Sequence, residues 1–146
     1  MKKVVVISTS LRVGSNSQVL AEQFAEGAKT AGHQVEFISL RGKEIKFCVG
    51  CLACQMLGAC VIKDDVPAIM EQVLNADVVC WATPIYYYEM SGQMKTLIDR
   101  MNAMYPKITI SATCICWPLP LKTRKELPNV QKQASLVGLT AIPRAV

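Results

Sequence analysis

Hydrophobic positions along the chain fall into two alternating kinds of run. The stretch KKVVVIST, residues 2–9, is continuously apolar and β-branched through its centre, the pattern of a strand buried on both faces of a parallel sheet. It is followed by NSQVLAEQFAEGAKTAG, residues 16–32, with Val19, Leu20, Phe24 and Ala28 at helical spacing and Gly32 as a stop. HQVEFISL, residues 33–40, reads as a second strand. Asp64 or Asp65 can cap a helix running through Val66, Ile69, Met70, Val73 and Leu74, with Pro67 tolerated in its first turn. ADVVCWAT, residues 76–83, is a third strand, and SGQMKTLIDRMNAM, residues 91–104, a third helix with Met94, Leu97, Ile98 and Met101 on one stripe. Strands alternating with helices predict an α/β domain built on a parallel sheet with right-handed crossovers.

The pattern changes after Pro106. KITISATCICW, residues 107–117, alternates well enough for a fourth strand. PLPLKTRKELPNVQKQ, residues 118–133, has prolines at 118, 120 and 128 and no apolar stripe to cover a sheet. ASLVGLTAI, residues 134–142, fits a fifth strand with nothing after it to make a fifth helix.

A length of 146 residues bounds the chain to one domain with a core of its own, so cysteines are not needed as staples. The apolar run near the start is too short for a signal peptide or a membrane span, and a cytoplasmic location is expected. The seven cysteines, an odd number, then argue for metal binding, redox chemistry or packing rather than for a disulfide framework. The net charge of +5 lies wholly in the last 46 residues, because residues 1–100 carry ten Lys/Arg against ten Asp/Glu. That basic tail has only Tyr105 and Trp117 as aromatics, too few for a nucleic-acid face.

In open parallel sheets ligands sit beyond the carboxyl ends of the strands, so the loops there carry the candidate chemistry. STSLRVGSNS, residues 8–17, is neither the G-x-G-x-x-G turn of a dinucleotide fold nor a triphosphate P-loop. It offers hydroxyls from Ser8, Thr9, Ser10, Ser15 and Ser17, the Asn16 amide, the Arg12 guanidinium and free N–H groups at a helix start. Such a set suits one terminal phosphate; the plainer alternative is that Ser and Asn cap the helix while Arg12 is solvated. WATPIYYYEMSGQMK, residues 81–95, sets three tyrosines between a proline turn and a helix start. They suit the cover of a flat heteroaromatic ring, or else burial of at least one of Tyr86, Tyr87 and Tyr88 against neighbours or a second subunit.

These two loops resemble those of the flavodoxin-like NAD(P)H-dependent FMN reductases. ISTSLRVGSNSQVLA is similar to that family's phosphate loop, with Leu11 where proline is usual, and ATPIYYYEMSGQMKTLIDR to its Pro-x-Tyr…Ser-Gly…Lys…Asp-Arg segment. The resemblance covers residues 3 to 105. It implies a flavodoxin-like three-layer sandwich, α/β in class, with an atypical or truncated or frame-shifted tail over 106–146. It implies FMN as cofactor, its phosphate held by Ser10, Arg12, Asn16 and Ser17 and its isoalloxazine framed by Thr83, Pro84, Ile85, Tyr86 and Tyr87. Lys95, Asp99 and Arg100 would organise the loop and a subunit interface. The implied reaction takes hydride from NAD(P)H and passes electrons to a small acceptor such as a quinone, a nitroaromatic or a flavin. The implied assembly is a homodimer or homotetramer.

CVGCLACQMLGAC, residues 48–60, is similar to the cysteine motif of the iron–sulfur flavoproteins within the same fold. There Cys48, Cys51, Cys54 and Cys60 would ligate a [4Fe–4S] cluster, and the protein would act as an electron carrier to a protein partner. Thiolates at this spacing suit a cubane better than structural zinc. Relatives with the same loop that look like plain flavin reductases leave the second reading open, in which these cysteines pack near the flavin and the partner subunit. Cys80, Cys114 and Cys116 read as small core hydrophobes. A shifted frame or a truncation near Pro106 is a third reading, and it predicts weak FMN retention and poor solubility.

Overall fold

The computed structural model describes residues 1–107 and 112–116, with side chains through residue 104. The 118–133 and 134–142 segments, the latter expected as a fifth strand, lie outside the described residues. Four strands form one parallel sheet: β1 (Lys3–Ser8), β2 (Gln34–Ser39), β3 (Val78–Ala82) and β6 (Ala112–Cys116). Their order is β2-β1-β3-β6, so β6 takes the place expected of the fourth strand. The chain builds outward from β1 on one side to β2 and on the other to β3, and this reversal sits between β1 and β3.

Alternation along β1 splits the core in two. Val4 and Val6, with Val78 and Cys80, face α1 (Asn16–Thr30) and meet Ala21, Phe24, Ala25 and Ala28. Val5 and Ile7, with Val79 and Trp81, face α3 (Val66–Leu74) and α4 (Gly92–Arg100), where Ile69, Val73, Met94 and Leu97 pack against them. The result is the expected three-layer sandwich, and Cys80 is the core hydrophobe that its position in a strand predicts. With Val4, Val5, Val6 and Ile7 all at 0% exposure, each β1 side chain contributes on the order of 1.5–3 kcal/mol, which makes this strand the least replaceable part of the fold.

Several local expectations shift. The buried stripe of α1 is Ser17, Ala21, Phe24, Ala25 and Ala28, with Val19 and Leu20 at its flanks: a helix lying flat on a sheet selects the small residues that permit close approach. The third helix ends at Arg100 and continues as a 3₁₀ turn over Met101–Lys107, in which Ala103 and Met104 are buried. Ile98 turns outward, and its place on the buried stripe goes to Arg100. Two elements were not foreseen, α2 (Ala53–Leu57) within the cysteine stretch and a hairpin of β4 (Ile85–Tyr86) with β5 (Glu89–Met90). No helix among the described residues is long and apolar enough to cross a membrane.

Candidate functional site

The loops that follow β1 and β3 lie at the point where strand order reverses, the place where sheets of this order hold ligands. Thr9 N–H donates to Ala82 O at 2.9 Å, extending the β1–β3 pairing into the loops. Three hydroxyls then join the two loops. Thr9 Oγ1 lies 3.1 Å from Ser91 Oγ, and Thr83 Oγ1 donates to the same oxygen at 3.2 Å. Ser91 returns its own N–H to Thr83 Oγ1 at 3.1 Å and caps α4 by accepting from Met94 N–H at 3.3 Å. All three residues are buried. Of these, Thr83 is a ring contact by the family resemblance, while Ser91 is the residue that sequence reasoning misses. The Ser-Gly pair that opens α4 is the sequence signal that marks it as an N-cap.

Ser15 caps the fifteen-residue α1 by accepting from Gln18 N–H at 3.2 Å, and its hydroxyl sits 3.2 Å from Ser17 Oγ. Ser10 and Ser17 are both buried, and Ser10 Oγ donates to Arg12 O at 3.2 Å, folding the loop back on itself. Asn16 is the first residue of α1 and half-buried, while Leu11, Arg12, Val13 and Gly14 are exposed around a left-handed Gly14. Ser8 adds a buried hydroxyl without a hydrogen-bond partner, on the α1 face of β1. Buried hydroxyls, one of them unsatisfied, beside the N-terminus of a long helix with an exposed guanidinium above: this donor set fits a phosphate monoester.

Pro84 is half-buried beyond Thr83, and Ile85, Tyr86, Tyr87 and Tyr88 are all exposed, so none of the three tyrosines is buried within the chain. Tyr87 and Tyr88 occupy the two central turn positions with φ of 49° and 65°, a left-handed pair normally supplied by Asn-Gly. Their rings meet edge to face at 5.9 Å between centroids. The hairpin therefore presents exposed aromatic surface on the loop after β3, which the Thr9, Ser91 and Thr83 hydroxyls join to the loop after β1.

The cysteine stretch lies at the other end of α4. Cys48, Cys51, Cys54 and Cys60 are free thiols and line one cavity with Arg100 and Asn102. Among the described residues no three His, Cys, Asp or Glu side chains are gathered closely enough to hold a metal ion in this conformation. The donor set itself, four thiols with two N–H-bearing side chains, has the chemistry that would suit a thiolate-bound group. Arg100 holds the stems of this loop. Its Nη1 donates to Lys46 O at 2.9 Å and its Nη2 to Ile62 O at 3.3 Å, while both nitrogens grip Asp64. Both side chains are wholly buried.

Asp64 also accepts from Lys46 N–H at 2.9 Å and Val66 N–H at 3.1 Å, so it, rather than Asp65, satisfies the start of α3. Burial pushes the Asp64 carboxyl up, but the Arg100 bonds and the two amides outweigh it and hold the group below the usual carboxylate range. Burial likewise works against the Arg100 charge. The bonds to Asp64 and the neighbouring Cys60 sulfur outweigh it and keep the guanidinium above its ordinary value.

The three-layer fold, with its strand order reversing between β1 and β3, defines a flavodoxin-like α/β protein. The chain belongs to the NADPH-dependent FMN reductase family, whose pattern it matches over residues 2–114. It is 36% identical over 101 residues to an Archaeoglobus fulgidus protein named iron–sulfur flavoprotein, a match covering 69% of this chain and 46% of that protein. It is 35% identical over 100 residues to YwqN of Bacillus subtilis, provisionally named an NAD(P)H-dependent FMN-containing oxidoreductase, covering 68% of this chain and 52% of that one. The chain thus spans about half the length of the curated relatives it matches. Its fold is similar to that of an NAD(P)H:quinone oxidoreductase from Methanothermobacter marburgensis, with a TM-score of 0.69 at 18% identity over 93% of this chain and 76% of that one.

Proposed function

We propose that the chain forms the FMN-binding part of an oxidoreductase that accepts hydride from NAD(P)H and delivers electrons to a small acceptor such as a quinone, a nitroaromatic or a flavin. The observation that carries this reading is the hydroxyl bridge Thr9–Ser91–Thr83, which locks a phosphate-type loop against an aromatic hairpin at the β1/β3 reversal. Ser10, Arg12, Asn16 and Ser17 hold the phosphate. Thr83, Pro84, Ile85, Tyr86 and Tyr87 frame the ring. FMN, when bound, supplies the two-electron chemistry, and the protein supplies orientation and electrostatics. Among these residues no general base is required: the loop fixes where the ring lies, and the exposed tyrosines exclude water from its edge. A homodimer or homotetramer in the cytoplasm, with the hairpin completing a second subunit's site, is the assembly that fits three exposed tyrosines.

Titration with FMN and with riboflavin tests the assignment. The phosphate loop predicts tighter binding of FMN, and Arg12→Gln narrows that gap without changing riboflavin affinity. Equal affinity for both flavins in the parent protein refutes it.

A second reading, that the protein is an iron–sulfur flavoprotein passing electrons to a protein partner, is favoured by the four thiols around one cavity and by the name of the Archaeoglobus relative. Cys48, Cys51, Cys54 and Cys60 would hold the [4Fe–4S] group. An absorption spectrum of anaerobically purified protein separates the readings, since it reports flavin and iron–sulfur together.

A further inference from the structure

The end of α4 and the 3₁₀ turn after it bring two nitrogen donors to the cysteine cavity that the flavin reading does not use. Asn102 Nδ2 lies 3.9 Å from Cys54 Sγ, within the range of an N–H···S hydrogen bond. Arg100 is 2% exposed, and its Nε–H is buried without a hydrogen-bond partner although Nη1 and Nη2 are fully engaged. Cys60 lines the same cavity as that guanidinium. A buried N–H left unpaired costs about 1–3 kcal/mol, and such a group in a native structure needs an explanation. Both side chains line the cavity shared by the four cysteines.

We propose that Arg100 and Asn102 are positioning residues for a thiolate-bound metal group: Asn102 donates to the Cys54 sulfur, and Arg100 orients Cys60 with its spare Nε–H while tying the loop stems together. This rests on the second reading above, in which the four thiols take such a group. A guanidinium locked on Lys46 O, Ile62 O and Asp64 cannot follow the loop if it moves, so Cys60 is the fixed member of the set. Cys48 and Cys51, both exposed, are the members that close onto it. Donors to ligating sulfurs disperse negative charge, which strengthens metal binding and favours the reduced form of a cluster.

The full chain is purified without oxygen as parent, Asn102→Leu and Arg100→Lys, and two properties are read. The first is affinity for Cd²⁺ alone, followed by thiolate-to-metal charge-transfer absorbance. The second is the reduction potential of the protein after iron–sulfur reconstitution. Arg100→Lys keeps the charge but loses the fork, and it weakens Cd²⁺ binding on the order of tenfold or more. Asn102→Leu weakens it less and lowers the reduction potential while leaving the thermal midpoint unchanged, a pattern that a purely structural role would not give. If Arg100→Lys fails to fold, Asn102→Leu decides alone. Parent-like affinity and potential in Asn102→Leu overturn the proposal, as does a parent protein that takes up no Cd²⁺. If Cd²⁺ binds and the variants weaken it but no iron–sulfur spectrum develops, the donor assignment stands and only the iron–sulfur reading fails.

Discussion

Replacing Ser91 by alanine removes the point at which the two candidate flavin loops meet. Ser91 is 0% exposed, caps α4, and shares its hydroxyl with Thr9 and Thr83. Loss of a serine cap costs about 1 kcal/mol. Each neutral hydrogen bond surrendered adds on the order of 0.5–1.5 kcal/mol, moderated here because Thr9 retains Ala82 O and Thr83 retains Pro84 O. The total is about 2–3 kcal/mol, a large fraction of the roughly 5–15 kcal/mol that holds a domain folded. With a slope of about 2 kcal/mol per molar urea, the unfolding midpoint falls by about 1 M. FMN affinity falls with it, because the α1 loop and the hairpin lose their common anchor. A double-mutant cycle with Thr83→Val isolates the shared bond and should return a coupling of at least about 0.5 kcal/mol. Additive effects in that cycle, or a midpoint unmoved in Ser91→Ala, refute the claim that the hydroxyls join the loops.

Asp64→Asn leaves the buried Arg100 charge without its carboxylate and costs about 3–5 kcal/mol by equilibrium unfolding. The Asp64 carboxyl is held below its ordinary value, so its stabilisation is complete above the unfolded value of about 3.9 and is lost as pH falls through the lower folded value. The parent should therefore lose stability more steeply than Asp64→Asn in acid, and parallel curves below pH 4 would contradict the assignment. Placing Asn at 87 and Gly at 88 relieves two left-handed tyrosines, each costing about 1–2 kcal/mol, so the melting midpoint rises while FMN retention falls; a midpoint that drops would show that the tyrosines are held by contacts within the chain. Ser15→Ala costs about 1 kcal/mol through the α1 cap and also weakens FMN binding, read by fluorescence titration.

The sequence discloses most where one physical demand fixes a residue type. Strands buried on both faces need uninterrupted apolar runs, and β1 and β3 are legible for that reason, whereas β2, QVEFIS, is half-exposed and legible only from its short β-rich alternation. The position of α1 was equally plain, but its buried face was not, because Ala21 and Ala25 carry little hydrophobic signal while Leu20 carries much. The hairpin over residues 85–90 was hidden because its turn uses Tyr-Tyr where the backbone calls for Asn-Gly. Arg100 was hardest of all: an arginine has no signature of burial, and its partner Asp64 lies 36 residues earlier in sequence. The candidate phosphate and ring loops are legible from composition and resemblance, whereas the Thr9–Ser91–Thr83 bridge between them depends on sheet order.

That bridge and the Arg100 clamp stand at opposite ends of the same short helix. Ser91 caps the start of α4 beside the candidate flavin loops, and Arg100 closes its last turn against the cysteine stretch. Nine residues at 1.5 Å rise separate the two ends by about 13 Å, a span set by the helix rather than by either loop. Met94 and Leu97 between them are only 2% and 0% exposed, so the helix is held on the sheet along its length. The cysteine stretch has no buried residue in α2 and leaves Phe47, Val49, Met56 and Leu57 exposed, so its hold on the core comes through the partly buried Cys54 and Cys60. Its position relative to the candidate flavin loops is therefore set by these two cysteines together with the Arg100 bonds to Lys46 O and Ile62 O.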